Sequence, residues 1–222
     1  MAAETHFRAT KLYDVLVATP LIGLYAVGIV VRLAPDTIAD LRQLHTPMSC
    51  LHVLRDLANF GYVTLIIALV LVRRMPVAKS DFLPRTVALA SAYLYLARIP
   101  LPHANLSPTV DAIATVLATI GTASAFAVLF WLRRSFSILP EARALVTSGP
   151  YRIIRHPLYV TEEIANLGVM LQFAQPWSLL IEIVNVAMQL WRISFEEHVL
   201  LRAFPDYANY ASRTRRLVPG IY

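Results

Sequence analysis

The run YVTLIIALVLV, residues 62–72, holds no charged side chain, and it belongs to one of six long apolar stretches in the sequence. A hydrocarbon slab about 30 Å thick takes about 20 helical residues to cross, and each crossing segment must satisfy its own backbone amides. Stretches of this kind therefore predict transmembrane α-helices. They are Val15–Ala34, Leu51–Val72, Thr86–Leu101, Thr109–Leu132, Leu158–Ala174 and Trp177–Phe195. With 57% hydrophobic and 15% charged residues, the chain of 222 residues carries more apolar surface than one soluble core can bury. The expected fold is all-α, a multi-pass transmembrane helical bundle of about six spans. Residues 1–132 supply four of them. Residues 133–222 supply a polar loop, a helical hairpin joined only by Gln175 and Pro176, and a tail.

The charges sort in step with these spans. With the N-terminus in the cytoplasm, 16 of the 20 Lys and Arg residues fall on the cytoplasmic side, and only Arg32, Arg42, Arg55 and Arg98 fall opposite. Cytoplasmic loops carry the positive excess, so both termini and the loop before the hairpin are expected there. The net charge of +6 thus describes orientation in a bilayer. Its basic residues are dispersed over separate loops, which excludes a nucleic-acid face. A single cysteine, Cys50, permits no internal disulfide. The first span precedes further spans rather than a soluble domain, so it is not expected to be cleaved. His45, Cys50 and His52 are expected in a solvated loop, with no fourth ligand at a zinc-like spacing and no metal site.

Polar residues inside membrane segments are costly and face a bundle interior or a watery cavity. In the last span Glu182, Asn185, Gln189, Arg192 and Glu196 recur every three or four residues, which is one stripe of a helix. Arg192 and Glu196 are also spaced to pair on that helix, and Glu182 lies near the hairpin tip. The preceding helix opens at Pro157, a residue suited to a first turn, and Glu162, Glu163 and Asn166 follow. In an antiparallel hairpin the start of one helix lies beside the end of the other. Tyr159, Glu162 and Glu163 are therefore expected to approach Arg192, Glu196 and Glu197, making one pocket at the cytoplasmic interface. Ala114, Ala118, Gly121 and Ala125 form a stripe of small residues, expected to pack against another helix.

LVTSGPYRIIRHPLY, residues 145–159, and RISFEEHVLLRAFPDYANYASRTRRLVPG, residues 192–220, resemble the isoprenylcysteine carboxyl methyltransferase family, whose wider group includes phospholipid N-methyltransferases. The resemblance covers about residues 131–222 and rests on the RHP-x-Y element and the downstream paired glutamates. It implies a multi-pass enzyme that moves a methyl group from S-adenosyl-L-methionine to a lipophilic acceptor entering from the membrane. Carried over by position, the cofactor would meet Arg143, Ala144, Leu145, Val146, Tyr151, Arg155, His156, Pro157, Leu158, Tyr159, Glu196 and Glu197. Arg192 would face the acceptor. Thr161 stands where many members have glycine, and Arg143 where a histidine is common.

The residue types suit that chemistry. Glutamates match the cofactor's ammonium and a guanidinium its carboxylate. A carboxylate acceptor is already anionic and needs only orientation, which Arg192 could give. An amine must lose a proton, which would make Glu162 or Glu163 a base. Three alternatives stay open: an N- or S-methyltransferase of the same fold acting on a phospholipid or small molecule, an NADPH-dependent membrane reductase, and a non-enzymatic membrane protein.

Overall fold

A computed structural model describes residues 34–98 and 100–220, together with the isolated positions 19 and 23. The expected span Val15–Ala34 otherwise lies outside the described residues. The elements in order are α1 (Ala34–Leu41), α2 (Pro47–Val72), β1 (Ala78–Lys79), α3 (Phe82–Leu94), α4 (Pro108–Leu132), β2 (Glu141–Ala142), α5 (Pro157–Leu171), α6 (Trp177–Ala203) and α7 (Tyr207–Arg213). Short 3-10 turns cover Tyr95–Arg98, Arg133–Ser135 and Gly149–Arg152. The protein is an all-α membrane protein with one two-residue antiparallel pairing, Ala78 with Ala142 and Lys79 with Glu141.

Local chemistry starts the long helices where the sequence allows. Thr46 caps α2 by accepting from Ser49 N at 3.2 Å, and Ser107 caps α4 by accepting from Val110 N at 3.4 Å. A proline follows each cap, at a position where its missing N–H costs nothing. Pro157 opens α5 in the same way. Among the described residues three helices are long and apolar enough to cross a membrane: Pro47–Val72, the α4 segment Pro108–Ser135 with its 3-10 extension, and Trp177–Ala203. The third and fifth expected segments form shorter helices. Their 13 and 15 residues rise about 20 and 22 Å, less than the slab thickness.

The bundle has two kinds of surface. Leu54, Leu57 and Phe60 on α2, Ile113, Ile120 and Phe130 on α4, and Ile183, Leu190 and Trp191 on α6 are exposed, as helices bathed in lipid require. The interior is led by a cluster of Leu69, Val70, Ala125, Val128, Leu129, Phe136, Ile138, Tyr151 and Leu158. Here α2 and α4 meet the loop that follows α4. The small-residue stripe of α4 packs on α5: a Cβ added at Gly121 would overlap the backbone of Ala165, and one at Gly168 would overlap Ala114 and Ala118. Close approach of two helix backbones is the reason for both glycines.

The hairpin link differs from expectation. Residues 172–176 separate α5 from α6, so the turn spans five residues rather than two, and α6 runs on to Ala203 rather than ending at Phe195. The helices are nonetheless antiparallel. Tyr159 bonds Glu196 near one end, and Asn185 Nδ2 donates to Glu163 Oε1 at 3.0 Å further along.

The segment between α4 and α5 is held down from both sides. Arg134 Nε donates to Val72 O at 2.8 Å, Arg74 N donates to Arg134 O at 2.9 Å, and Arg143 bonds Arg74 O. From the tail, Arg155 N donates to Arg215 O at 2.7 Å and His156 N to Arg216 O at 3.0 Å. Gly149 sits at φ 61° with the Trp131 ring against it, a backbone conformation open to few residues with a Cβ.

Candidate active site

A cavity of about 540 Å³ opens beneath this loop and runs between α2, α4, α5 and α6. That volume is in the range of small-molecule and cofactor sites. Its loop end is walled by Arg143, Ala144, Leu145, Val146 and Tyr151 from the loop, and by Arg155, His156, Leu158 and Tyr159 from the start of α5. Glu162, Arg192 and Glu196 reach it from the two hairpin helices. Twelve of the fifteen residues singled out from the sequence thus line one space.

The polar stripe of α6 faces inward. Glu182, Asn185, Gln189 and Arg192 are 3%, 5%, 7% and 9% exposed, although each lies within a helix that presents apolar residues elsewhere. Arg192 is immobilised by three contacts. Its Nε donates to Glu196 Oε1 at 3.1 Å, its Nη2 to Ile138 O at 2.8 Å, and its guanidinium lies over the Tyr159 ring at 5.1 Å. Tyr159 donates to the same Glu196 oxygen. Among the described residues Glu196 Oε2 and Arg192 Nη1 have no hydrogen-bond partner, which leaves them open to a ligand. On the opposite wall Tyr62 of α2 donates to Glu162 Oε1, which fixes that carboxylate and leaves its second oxygen without a partner among the described residues.

Three expected site residues are placed differently. Glu197 lies outside the cavity lining, and both its oxygens are taken. Arg155 Nε donates to Oε1 at 2.7 Å, His156 Nε2 lies 3.2 Å from the same oxygen, and Arg216 Nε donates to Oε2 at 2.9 Å. The direction of its side chain makes Glu197 a clamp that binds loop to tail rather than a wall of the cavity. Glu163 also lies outside the lining. It accepts from Asn185 and sits beside Glu182, which is ion-paired with Arg98, so it approaches neither Arg192 nor Glu196. Glu182 is accordingly buried rather than exposed at the hairpin tip. Pro157 starts α5 without facing the cavity. Arg155 and Arg143 line the cavity but spend donors on scaffold: Arg155 on Glu197, Ala211 O and Thr214 O, and Arg143 on Glu141 and Arg74 O.

Several lining residues carry no signal in the motifs. Asn59 and Tyr62 come from α2, and Tyr207 and Tyr210 from the tail. Burial lifts Tyr151 well above the usual phenol value, with the charge of Glu196 adding to it, and burial lifts Tyr207 as well. Burial also pushes Tyr210 up to about 12, where it donates to Tyr151 O at 2.7 Å. All three stay neutral donors at ordinary pH. Away from the cavity, Cys50 and His52 lie in the first turns of α2 rather than in a loop, and His52 is set between Asp40 at 3.3 Å and Asp111 at 3.2 Å.

Fold and cavity define a class: an α-helical membrane protein whose last hairpin, with the loop before it, walls a ligand-sized chamber, mostly apolar and charged at its loop end. Residues 111–207 match the family model described as phospholipid methyltransferase. The matched residues contain the whole loop, α5, α6 and all of the hairpin's cavity wall. Three curated relatives align over parts of their length. A nickel-cobalt-cadmium resistance protein of Alcaligenes xylosoxydans is 35% identical over 36% of this chain and 38% of its own. A cobalt-zinc-cadmium resistance protein of Cupriavidus metallidurans is 39% identical over 35% of this chain and 36% of its own. The protein-S-isoprenylcysteine O-methyltransferase B of Arabidopsis thaliana is 33% identical over 47% of this chain and 51% of its own. The chain thus spans about half or less of the curated relatives it matches.

Proposed function

We propose that this protein is a membrane methyltransferase that binds S-adenosyl-L-methionine at the loop end of the cavity and methylates a lipophilic acceptor. The observation that carries the reading is the single cavity in which the loop 143–159 faces Arg192 and Glu196, within the region of the family match. The donor set suits the cofactor. Glu196 offers an open carboxylate oxygen to an ammonium, and the paired Arg192 offers Nη1 to an anion. Ala144, Leu145, Val146 and Leu158 supply apolar wall. The cofactor carries its methyl group on a sulfonium, already activated for transfer.

What remains for the protein is alignment and the exclusion of water, since methyl transfer is an in-line displacement. The finer reading is carboxyl O-methylation. A carboxylate acceptor enters as its own nucleophile, and Arg192, held rigid by Glu196, Ile138 O and Tyr159, orients it. Glu162 favours a second reading. Fixed by Tyr62 and open on one oxygen, it is placed to take the proton of an amine acceptor. The charge partition orients the loop end, with both termini, toward the cytoplasm, where a charged cofactor is supplied, while the acceptor enters from lipid.

The test is calorimetric titration of the purified chain with S-adenosylhomocysteine and, separately, with NADPH, followed by methyl-label transfer to membrane lipid extract. Binding of the first ligand alone is expected. Label released by mild alkali marks a methyl ester, and alkali-stable label marks an amine. Binding of NADPH alone, or of neither ligand, sinks the methyltransferase reading.

A further inference from the structure

One turn beyond the charged residues, three carboxamides face the same cavity from three helices. Asn59 lies three residues before Tyr62 on α2, Asn166 four residues after Glu162 on α5, and Gln189 three residues before Arg192 on α6. The directions of the helices put all three on the same side. α5 runs away from the loop, since it begins at Pro157, whereas α2 and α6 run toward it: Val72 O is bonded by Arg134, and Arg192 bonds Ile138 O. Tyr62 and Glu162 are bonded to each other, which sets α2 and α5 level at that point. Each step therefore descends from the charged ring into the bundle by one turn, about 5 Å.

None of the three side chains makes a hydrogen bond to the described residues, and Gln189 is only 7% exposed. Asn59 and Asn166 are half-buried, and the amide atoms of all three stay open to the cavity. Carboxamides inside a membrane bundle are costly unless a watery cavity or a ligand satisfies them, so three around one space point to something that the cavity holds. The neighbouring polar groups behave otherwise: Gln172 Nε2 donates to Thr115 Oγ1 at 3.1 Å, and Asn185 donates to Glu163. A carboxamide both donates and accepts and carries no charge, so a ring of them matches a neutral group that does the same. A plain hydrocarbon tail would strand all three.

We propose that Asn59, Asn166 and Gln189 form a collar that recognises an uncharged hydrogen-bonding group, an amide, carbonyl or hydroxyl, in the body of the acceptor, about one helical turn from the atom that is methylated. This names the substrate class of the same site and rests on the methyltransferase reading. It makes the acceptor an amphiphile with a neutral polar group beneath its reactive head rather than a bare lipid chain.

The test uses a matched pair of probes of equal length, N-dodecanoyl-β-alanine and hexadecanoic acid, which share a carboxylate and differ in one internal amide. Each is titrated into the full chain in detergent saturated with S-adenosylhomocysteine, whose own binding is measured first. The amide probe is expected to bind about tenfold more tightly, the worth of one or two well-made neutral hydrogen bonds. Asn166→Leu and, on a different helix, Asn59→Leu should bring the ratio to about one, and Asn166→Gln should restore part of it. Equal affinities for the two probes, unchanged by these variants, would mean that the collar holds only water and would overturn the proposal. So would failure of either probe to bind while S-adenosylhomocysteine does. Preference for the amide probe in a chain that binds no S-adenosylhomocysteine would leave the collar standing and remove the methyltransferase reading instead.

Discussion

Two adjacent glutamates on one helix show how far a motif and a residue's work can part. Glu196 and Glu197 project from α6 in different directions. The first shares its Oε1 between Tyr159 and Arg192 and keeps Oε2 for the cavity, while the second is saturated by Arg155, His156 and Arg216. Their charge-removing variants should therefore fail differently. Glu197→Gln leaves the Arg155 guanidinium, 11% exposed, short of its anion, and breaking such a pair costs about 3–5 kcal/mol of stability. Glu196→Gln deprives one guanidinium, Arg192, also 11% exposed, where Glu197→Gln deprives three partners. It should therefore cost less stability than Glu197→Gln, while weakening S-adenosylhomocysteine binding by about 1–3 kcal/mol, the worth of a charged hydrogen bond. Thermal unfolding and calorimetry on the two variants measure both quantities. Loss of stability in Glu196→Gln equal to that in Glu197→Gln would make both glutamates scaffold.

At the scale of elements, the pairing of α4 with α5 depends on two glycines and the tail on one phenol. Gly168→Ala must force α5 away from Ala114 and Ala118, at a cost of about 1–3 kcal/mol. Gly61→Ala on α2 is the control. Its added Cβ meets only the Phe126 ring at 3.7 Å, so the variant should gain helix propensity of roughly 1 kcal/mol or less. Equal melting temperatures for the two would refute the packing account. Tyr210 predicts an alkaline limit. Its folded value is raised, to about 12 against an ordinary 10.0, so its contribution is complete below pH 10 and is lost as pH climbs through about 12, when the phenolate can no longer donate to Tyr151 O. Protease sensitivity of the tail should rise over that window, and Tyr210→Phe should show it already at neutral pH. Much of this architecture is legible in the sequence. The small-residue stripe gives the α4 packing face, and the spacing of Glu182 to Glu196 gives the inward face of α6. The RHP-x-Y element gives the loop end of the cavity. Asn59 and Tyr62 stay hidden because they sit at the edge of an apolar run, where only their three-residue spacing hints at a face. The partners of Glu163 and Glu197 are settled by side-chain direction, which periodicity does not carry.

At the scale of the whole molecule, the site's position and the charge asymmetry make one claim about the bilayer. The cavity's charged end lies under the loop that carries Arg134, Arg143, Arg152 and Arg155, the end expected to face the cytoplasm. Ser148 belongs to that end, since Trp131 Nε1 at the close of α4 donates to its Oγ at 3.3 Å, whereas Ser107 caps the start of α4. The 25 residues of α4 separate the two by about 37 Å, enough to span the slab, and both serines are exposed. In a Cys50→Ala background, Ser148→Cys should react with a membrane-impermeant maleimide only in inside-out vesicles, and Ser107→Cys only in right-side-out ones. Labelling of both from one side would mean that α4 does not cross the membrane. Labelling from opposite sides with Ser148→Cys outermost would keep α4 as a span but invert the molecule. The mouth of the cavity would then face away from the compartment that supplies S-adenosyl-L-methionine, and a cofactor drawn from the cytoplasm could not reach Glu196.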